Sequence, residues 1–139
     1  MSIETKQKTP VSRAKAKPHQ LAVTPRVKLW LEASGESVFC SGLAAMLAAV
    51  DQTHSIKAAA TEVGRSYRFV WARIKKAELA LGAKLVEAHV GGSGTRRSEL
   101  TPLAEDLLRE FGELRGEIFH LVDDVFATRL QATLRRHGS

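Results

Sequence analysis

Apolar positions change their spacing several times along the chain, and each change predicts an element. Val27, Leu29 and Leu31 recur at every second residue, which places them on one face of an extended segment, and Gly35-Glu36 offers a turn before Val38 and Phe39. A short hairpin, or a strand followed by a loop, is expected there. The period then lengthens to three and four. Leu43, Met46, Leu47 and Val50 predict a first helix from Gly42 to about Thr53, with Ser41 as its N-cap. Ser55 predicts a second cap, Ile56, Ala59, Ala60 and Val63 the inner face of the helix behind it, and Gly64 the left-handed residue that stops it. Ser66 opens a third helix to about Leu81, in which Val70, Ile74 and Ala77 form an apolar stripe while Arg68, Arg73, Lys75 and Lys76 lie largely off it.

Beyond Gly82 the run Lys84 to Val90 reads as a strand, Gly91-Gly92-Ser93-Gly94 as a glycine loop, and Arg96 to Leu100 as the returning strand. From Pro102, with Thr101 as N-cap, the pattern is helical as far as Arg136. Leu107, Phe111, Leu114, Ile118, Leu121 and Val125 alternate by four and three, the a/d spacing of a coiled-coil seam. A helix of about 35 residues rises about 50 Å at 1.5 Å each, too long to bury its seam on so small a domain, so a second copy of the chain is the expected partner. Gly112 and Gly116 mark either a close helix crossing or a break.

The expected fold class is therefore mainly α with a small β wing: a winged helix-turn-helix over residues 26–101, then a long dimerisation helix and tail over 102–139. Residues 1–25, with Pro10, Pro18 and Pro25 among Lys, Ser, Thr and Gln, read as a flexible basic arm. At 139 residues one domain with appendages is expected.

Charge adds direction to this outline. Residues 1–28 hold seven Lys and Arg against Glu4 alone, and the remaining chain balances at fourteen of each sign. Within that balanced part, residues 55–101 carry nine basic and four acidic side chains, whereas residues 102–139 carry five and seven. The basic segment coincides with the third helix and the wing, as suits a face turned toward a polyanion.

A helix enters the major groove of B-form DNA with its N-terminal residues at the base edges. Arg68 is the first candidate for a base contact, since its forked donors match the paired acceptors of guanine. Arg65, Ser66, Tyr67, Phe69, Trp71, Arg73 and Lys76 complete the candidate surface on and just before this helix, Ser66 and Tyr67 being suited to phosphate. For Trp71, packing in a core or groove is the competing role. Arg96 and Arg97 suit a wing that follows the sugar–phosphate backbone or enters the minor groove.

Leu29-Trp30-Leu31, Ser55 to Ala60, Val63 to Trp71, Gly91 to Gly94 and Leu100-Thr101, in this order, resemble the N-terminal DNA-binding domain of ModE-type molybdate-responsive regulators, and more distantly the LysR-type domain. The resemblance runs from about residue 26 to 111. It implies a DNA-binding homodimer held by long helices and hairpins, with two readers spaced for a palindromic operator. Larger members of the family continue into oxyanion-binding β domains. No strand pattern follows Thr101 here, so molybdate sensing is not expected of this chain.

Other functional classes find little support. No dinucleotide fingerprint, Walker A sequence or His-Glu-x-x-His pair is present, so neither an enzyme nor a cofactor is expected. His120 with Asp123 and Asp124 could face a metal, but a solvated helix face accounts for them and no metal is expected. Cys40 is the sole cysteine, which excludes an intrachain disulfide; a buried structural thiol is the expectation, a redox switch the alternative. Without an apolar run near 18 residues or a signal-peptide core, a cytoplasmic, nucleoid-associated protein away from membranes is expected. The alternatives to a sequence-specific regulator are a winged helix that docks on another regulator protein and a nonspecific nucleoid-associated DNA binder.

Overall fold

The computed structural model describes residues 22–91 and 96–138. Leu29–Gly112 form one compact unit, and the described residues outside those bounds, 22–28 and 113–138, belong to the other. Most of the expected basic arm lies outside the described residues; residues 22–25 carry no regular secondary structure.

Two strands, β1 (Trp30–Ala33) and β2 (Glu36–Cys40), form an antiparallel hairpin. Ser34 and Gly35 both take positive φ, 53° and 80°, as a two-residue turn with the twist of paired strands requires. The register slips between Leu31 and Glu32, whose partners are Phe39 and Ser37, so Val38 is an extra residue on β2. This bulge lets the adjacent Val38 and Phe39 both enter the core, against strict alternation. Leu29 and Leu31 pack on that core, whereas Val27, placed with them by the period-two pattern, precedes the strand and is exposed.

Helix α1 (Ser41–Thr53) follows directly. Cys40, extended at φ −151°, is its N-cap, and no side chain closes that end; Ser41, the expected cap, is the first helical residue. Leu43, Met46, Leu47 and Val50 are buried as their spacing demands. Helix α2 (Ile56–Val63) is capped by Ser55, whose Oγ accepts from Ala58 N at 3.0 Å, and ends at Gly64 with φ 72°. Helix α3 (Tyr67–Leu81) is capped in the same way by Ser66, whose Oγ accepts from Phe69 N at 3.0 Å. Val70, Ile74 and Ala77 are its buried stripe.

The wing consists of β3 (Val86–Val90) and β4 (Arg96–Leu100), antiparallel with Val86 opposite Leu100 and Val90 opposite Arg96. The centre of the glycine loop, residues 92–95, lies outside the described residues. Strand β3 starts two residues after the predicted Lys84, whose carbonyl instead accepts a hydrogen bond from Thr101 Oγ1 at 2.8 Å. Ser98 N donates to the His54 carbonyl at 2.9 Å and Thr101 N to that of Leu85 at 3.0 Å, so the base of the wing is tied to the end of α1 and to itself. Leu85, Val86 and Leu100 carry the hairpin's apolar side into the core.

Thr101 caps α4 (Pro102–Val125) as expected, accepting from Ala104 N at 3.2 Å. The helix is continuous through Gly112 and Gly116, and a Cβ at either would meet nothing within 4 Å. Neither glycine marks a break or a close approach among the described residues.

The apolar series on α4 has two parts rather than one seam. Phe111 is 5% exposed, its ring edge-on to Phe39 with centroids 5.0 Å apart, and Leu107 packs on the same core. These two, expected to face a second copy, serve their own domain, because the opening turns of α4 bring Ala104, Leu107 and Phe111 onto the core, where Phe111 meets Phe39 of β2. Leu114, Leu121 and Val125 are exposed and Ile118 half-buried. A wide turn, Phe126–Leu130, follows, in which Gln131 N reaches the Phe126 carbonyl five residues back, and α5 (Gln131–His137) continues from it. Among the described residues no helix is long and apolar enough to cross a membrane.

Candidate nucleic-acid interface

The buried stripe of α3 decides what its outer surface presents. With Val70, Ile74 and Ala77 in the core, Tyr67 (51% exposed), Arg68, Phe69, Trp71 (44% exposed) and Lys76 come out to solvent. Tyr67, Trp71 and Lys75 are spaced by four and share one strip; Arg68, Ala72 and Lys76 share the next. The short Ala72 leaves room around Arg68. First-turn amides of such a helix lack intrahelical partners, and with the macrodipole they favour an anion at this end.

Cation–π contacts order part of this surface. The Arg65 guanidinium lies 4.5 Å from the centre of the Phe69 ring, and Lys75 Nζ lies 5.5 Å from that of Trp71. Trp71 thus packs on a lysine at the surface instead of in the core. Lys76 Nζ lies 3.4 Å from Glu36 Oε1 on the first hairpin, with both side chains well exposed.

Arg73 differs from the other candidates. It is half-buried, and its Nη2 donates to Cys40 Sγ at 3.0 Å, bracing α3 against the junction of β2 and α1. Cys40 is half-buried, not the fully buried packing thiol that was expected. On the wing, Arg97 Nε and His89 Nε2 lie 3.6 Å and 3.8 Å from the two carboxylate oxygens of Glu99. Arg96 and α3 meet at one cleft, which Tyr67 and Trp71 also line.

One residue that holds this surface together was absent from the candidates. Glu78, on α3, is 8% exposed, and its Oε2 accepts from Leu85 N at 2.8 Å and Val86 N at 3.2 Å. Lys75 Nζ sits 3.2 Å from its other oxygen. Burial pushes the carboxyl upward, but the two amides and the Lys75 ammonium outweigh it, and its pKa lies below the usual carboxylate value. The ionised carboxylate thereby pins the first strand of the wing to α3. Its signal in the sequence is a lone acidic residue on the apolar stripe, four positions after Ile74.

His120 Nε2 lies 3.5 Å from Asp124 Oδ2 on an exposed face, and among the described residues no group of three or more His, Cys, Asp or Glu side chains could hold a metal ion.

Residues 43–105 match the family model described as bacterial regulatory helix-turn-helix protein, lysR family. The molybdenum-pterin-binding protein MopB of Rhodobacter capsulatus is 37% identical over 78 residues, 56% of this chain and 29% of that protein. The molybdenum transport protein ModE of Herbaspirillum seropedicae is 38% identical over 71 residues, 51% of this chain and 26% of that protein. The crystal structure of ArgP from Mycobacterium tuberculosis matches with a TM-score of 0.43 at 27% identity, over 59% of this chain and 30% of that one. This chain thus spans under a third of each of these relatives. The family match covers most of the first helix, the next two helices and both wing strands, so residues 43–105 are similar to the LysR-type helix-turn-helix domain.

Proposed function

We propose that the protein is a DNA-binding transcriptional regulator that acts as a homodimer, with α3 in the major groove and the wing on the sugar–phosphate backbone. The observation that carries the reading is α3 itself: its back is fixed in the core, its N-terminus is capped by Ser66, and Tyr67, Arg68, Phe69 and Trp71 are presented outward within a helix-turn-helix domain. Arg68 has the forked donors for a guanine edge, and Tyr67 and the first-turn amides suit a phosphate. Arg65, Lys76, Arg96 and Arg97 add cations around that reader; Arg73 supports it from behind through Cys40.

Pairing of two copies is supported by the exposed stripe of Leu114, Leu121 and Val125, flanking the half-buried Ile118. The same stripe favours a second reading, in which another regulator protein docks there and DNA binding is auxiliary. Arg68→Glu separates the two. Binding of a duplex selected from a random pool, followed by fluorescence anisotropy, is expected to fall at least a hundredfold while the oligomeric state is kept. Unchanged affinity for the selected duplex would overturn the assignment of α3 as the reader. Equal affinity of the parent protein for selected and bulk DNA would instead identify a nonspecific binder.

A further inference from the structure

Between α3 and the wing strands opens a cleft of about 620 Å³. Four cationic side chains line it from three directions: Lys57 at the start of α2, Lys75 on α3, Lys84 ahead of β3 and Arg96 at the start of β4. No Asp or Glu among the described residues lines it. Among the described residues, Lys57, Lys84 and Arg96 have no carboxylate within 4 Å, and the one that Lys75 meets is already engaged by two backbone amides.

Like charges gathered in a concavity repel one another, and the walls concentrate their field on whatever enters. A polyanion relieves that repulsion best, because its charges come regularly spaced. Tyr67 and Trp71 give the α3 wall two flat faces, and the opposite wall, at Ala88 and Ser98, is made of small residues that keep the cleft wide. A helix in one groove and a wing on the next must straddle the backbone strand between them, and this cleft is the space they leave.

We propose that the cleft seats that phosphodiester strand, with Lys57, Lys75 and Lys84 as phosphate contacts beside Arg96. The assignment rests on the DNA-binding reading above. It adds three residues to the interface and makes the notch beside the wing, rather than the wing tip alone, the main electrostatic contact. Trp71 then lies against a sugar, with Lys75 held over its ring.

The test uses the full chain and a duplex selected from a random pool. Lys57 and Lys84 are exposed, so Lys57→Met and Lys84→Met, singly and together, leave folding intact, as thermal unfolding checks. Each single change removes one phosphate contact per half-site and is expected to reduce the slope of log affinity against log salt by about 1.8 for the homodimer, equally for selected and unselected duplexes, with the preferred sequence unchanged. Methylphosphonate placed singly along the duplex is expected to weaken the parent protein at one or two positions per half-site and to weaken the double variant less at the same positions, where Lys75 and Arg96 remain. A double variant with the parent's salt slope would overturn the cleft assignment and leave the DNA reading standing. So would loss of sequence preference without loss of slope, or poly-glutamate held more tightly than duplex. Absence of any duplex binding by the parent protein would overturn both readings.

Discussion

Glu78 joins stability to the geometry of the candidate interface. Because its pKa is lower in the folded chain than the ordinary value of 4.5, its ionised form stabilises the fold at pH values above that figure. The contribution is lost as pH falls below 4.5 and through the folded value, where the unfolded chain binds the proton more readily. Glu78→Ala leaves the Leu85 and Val86 amides without their acceptor. It is expected to cost about 2 kcal/mol at neutral pH, the scale of a buried hydrogen-bonding group left unpaired, and to flatten the acid limb of stability; urea unfolding between pH 3 and 7 measures both. An unchanged acid limb would show that another carboxylate sets it. At this scale the sequence was legible where partners are local. Ser55, Ser66 and Thr101 cap the amides three residues ahead of them, and Gly64 stops the helix just before it. Glu78 and Arg73 were not legible in their actual roles, since their partners lie seven and 33 residues away and depend on how the elements pack.

Among the elements, α4 combines two duties that one periodicity hides. Spacing by four and three says only that one face is apolar, and the partner of that face is a property of the assembled domain. Phe111→Ala removes the edge-on contact with Phe39 and is expected to destabilise the domain by about 3–5 kcal/mol. Leu121, 60% exposed, has no such role in its own chain. Leu121→Glu is expected to leave domain unfolding within about 0.5 kcal/mol of the parent while shifting sedimentation velocity toward the monomer. A dimer that survives this change would place the pairing surface elsewhere. The first hairpin shows a similar limit. Its existence followed from alternation, but the burial of both Val38 and Phe39 comes from a bulge that no two-residue period encodes.

Across the whole molecule, charge follows sequence order: seven basic residues against one acidic over residues 1–28, nine against four over 55–101, and five against seven over 102–139. The fold gathers the middle set around α3 and the wing, the part of the candidate interface toward which composition alone points. How those cations divide between base reading, bracing and a cleft depends on side-chain direction and could not be read from their order. If the first segment adds only counterion release, removing residues 1–24 is expected to weaken binding to all duplexes alike and lower the salt slope. Anisotropy titrations at several salt concentrations measure this, and a changed sequence preference would instead make the segment a reader of the minor groove.

The wide turn at Phe126–Leu130 also keeps phase. Apolar residues step from Leu114 by four, three and four to Val125, then by five to Leu130 and four to Leu134. In a plain α-helix the step of five would carry Leu130 and Leu134 off the line of the earlier residues, but a turn closed five residues back absorbs the surplus residue. The end of the helical run therefore behaves like a ruler with one lengthened division, along which the marks beyond it stay aligned. One residue fewer in this stretch would restore ordinary pitch and keep that line; one residue more would turn everything after it to another side.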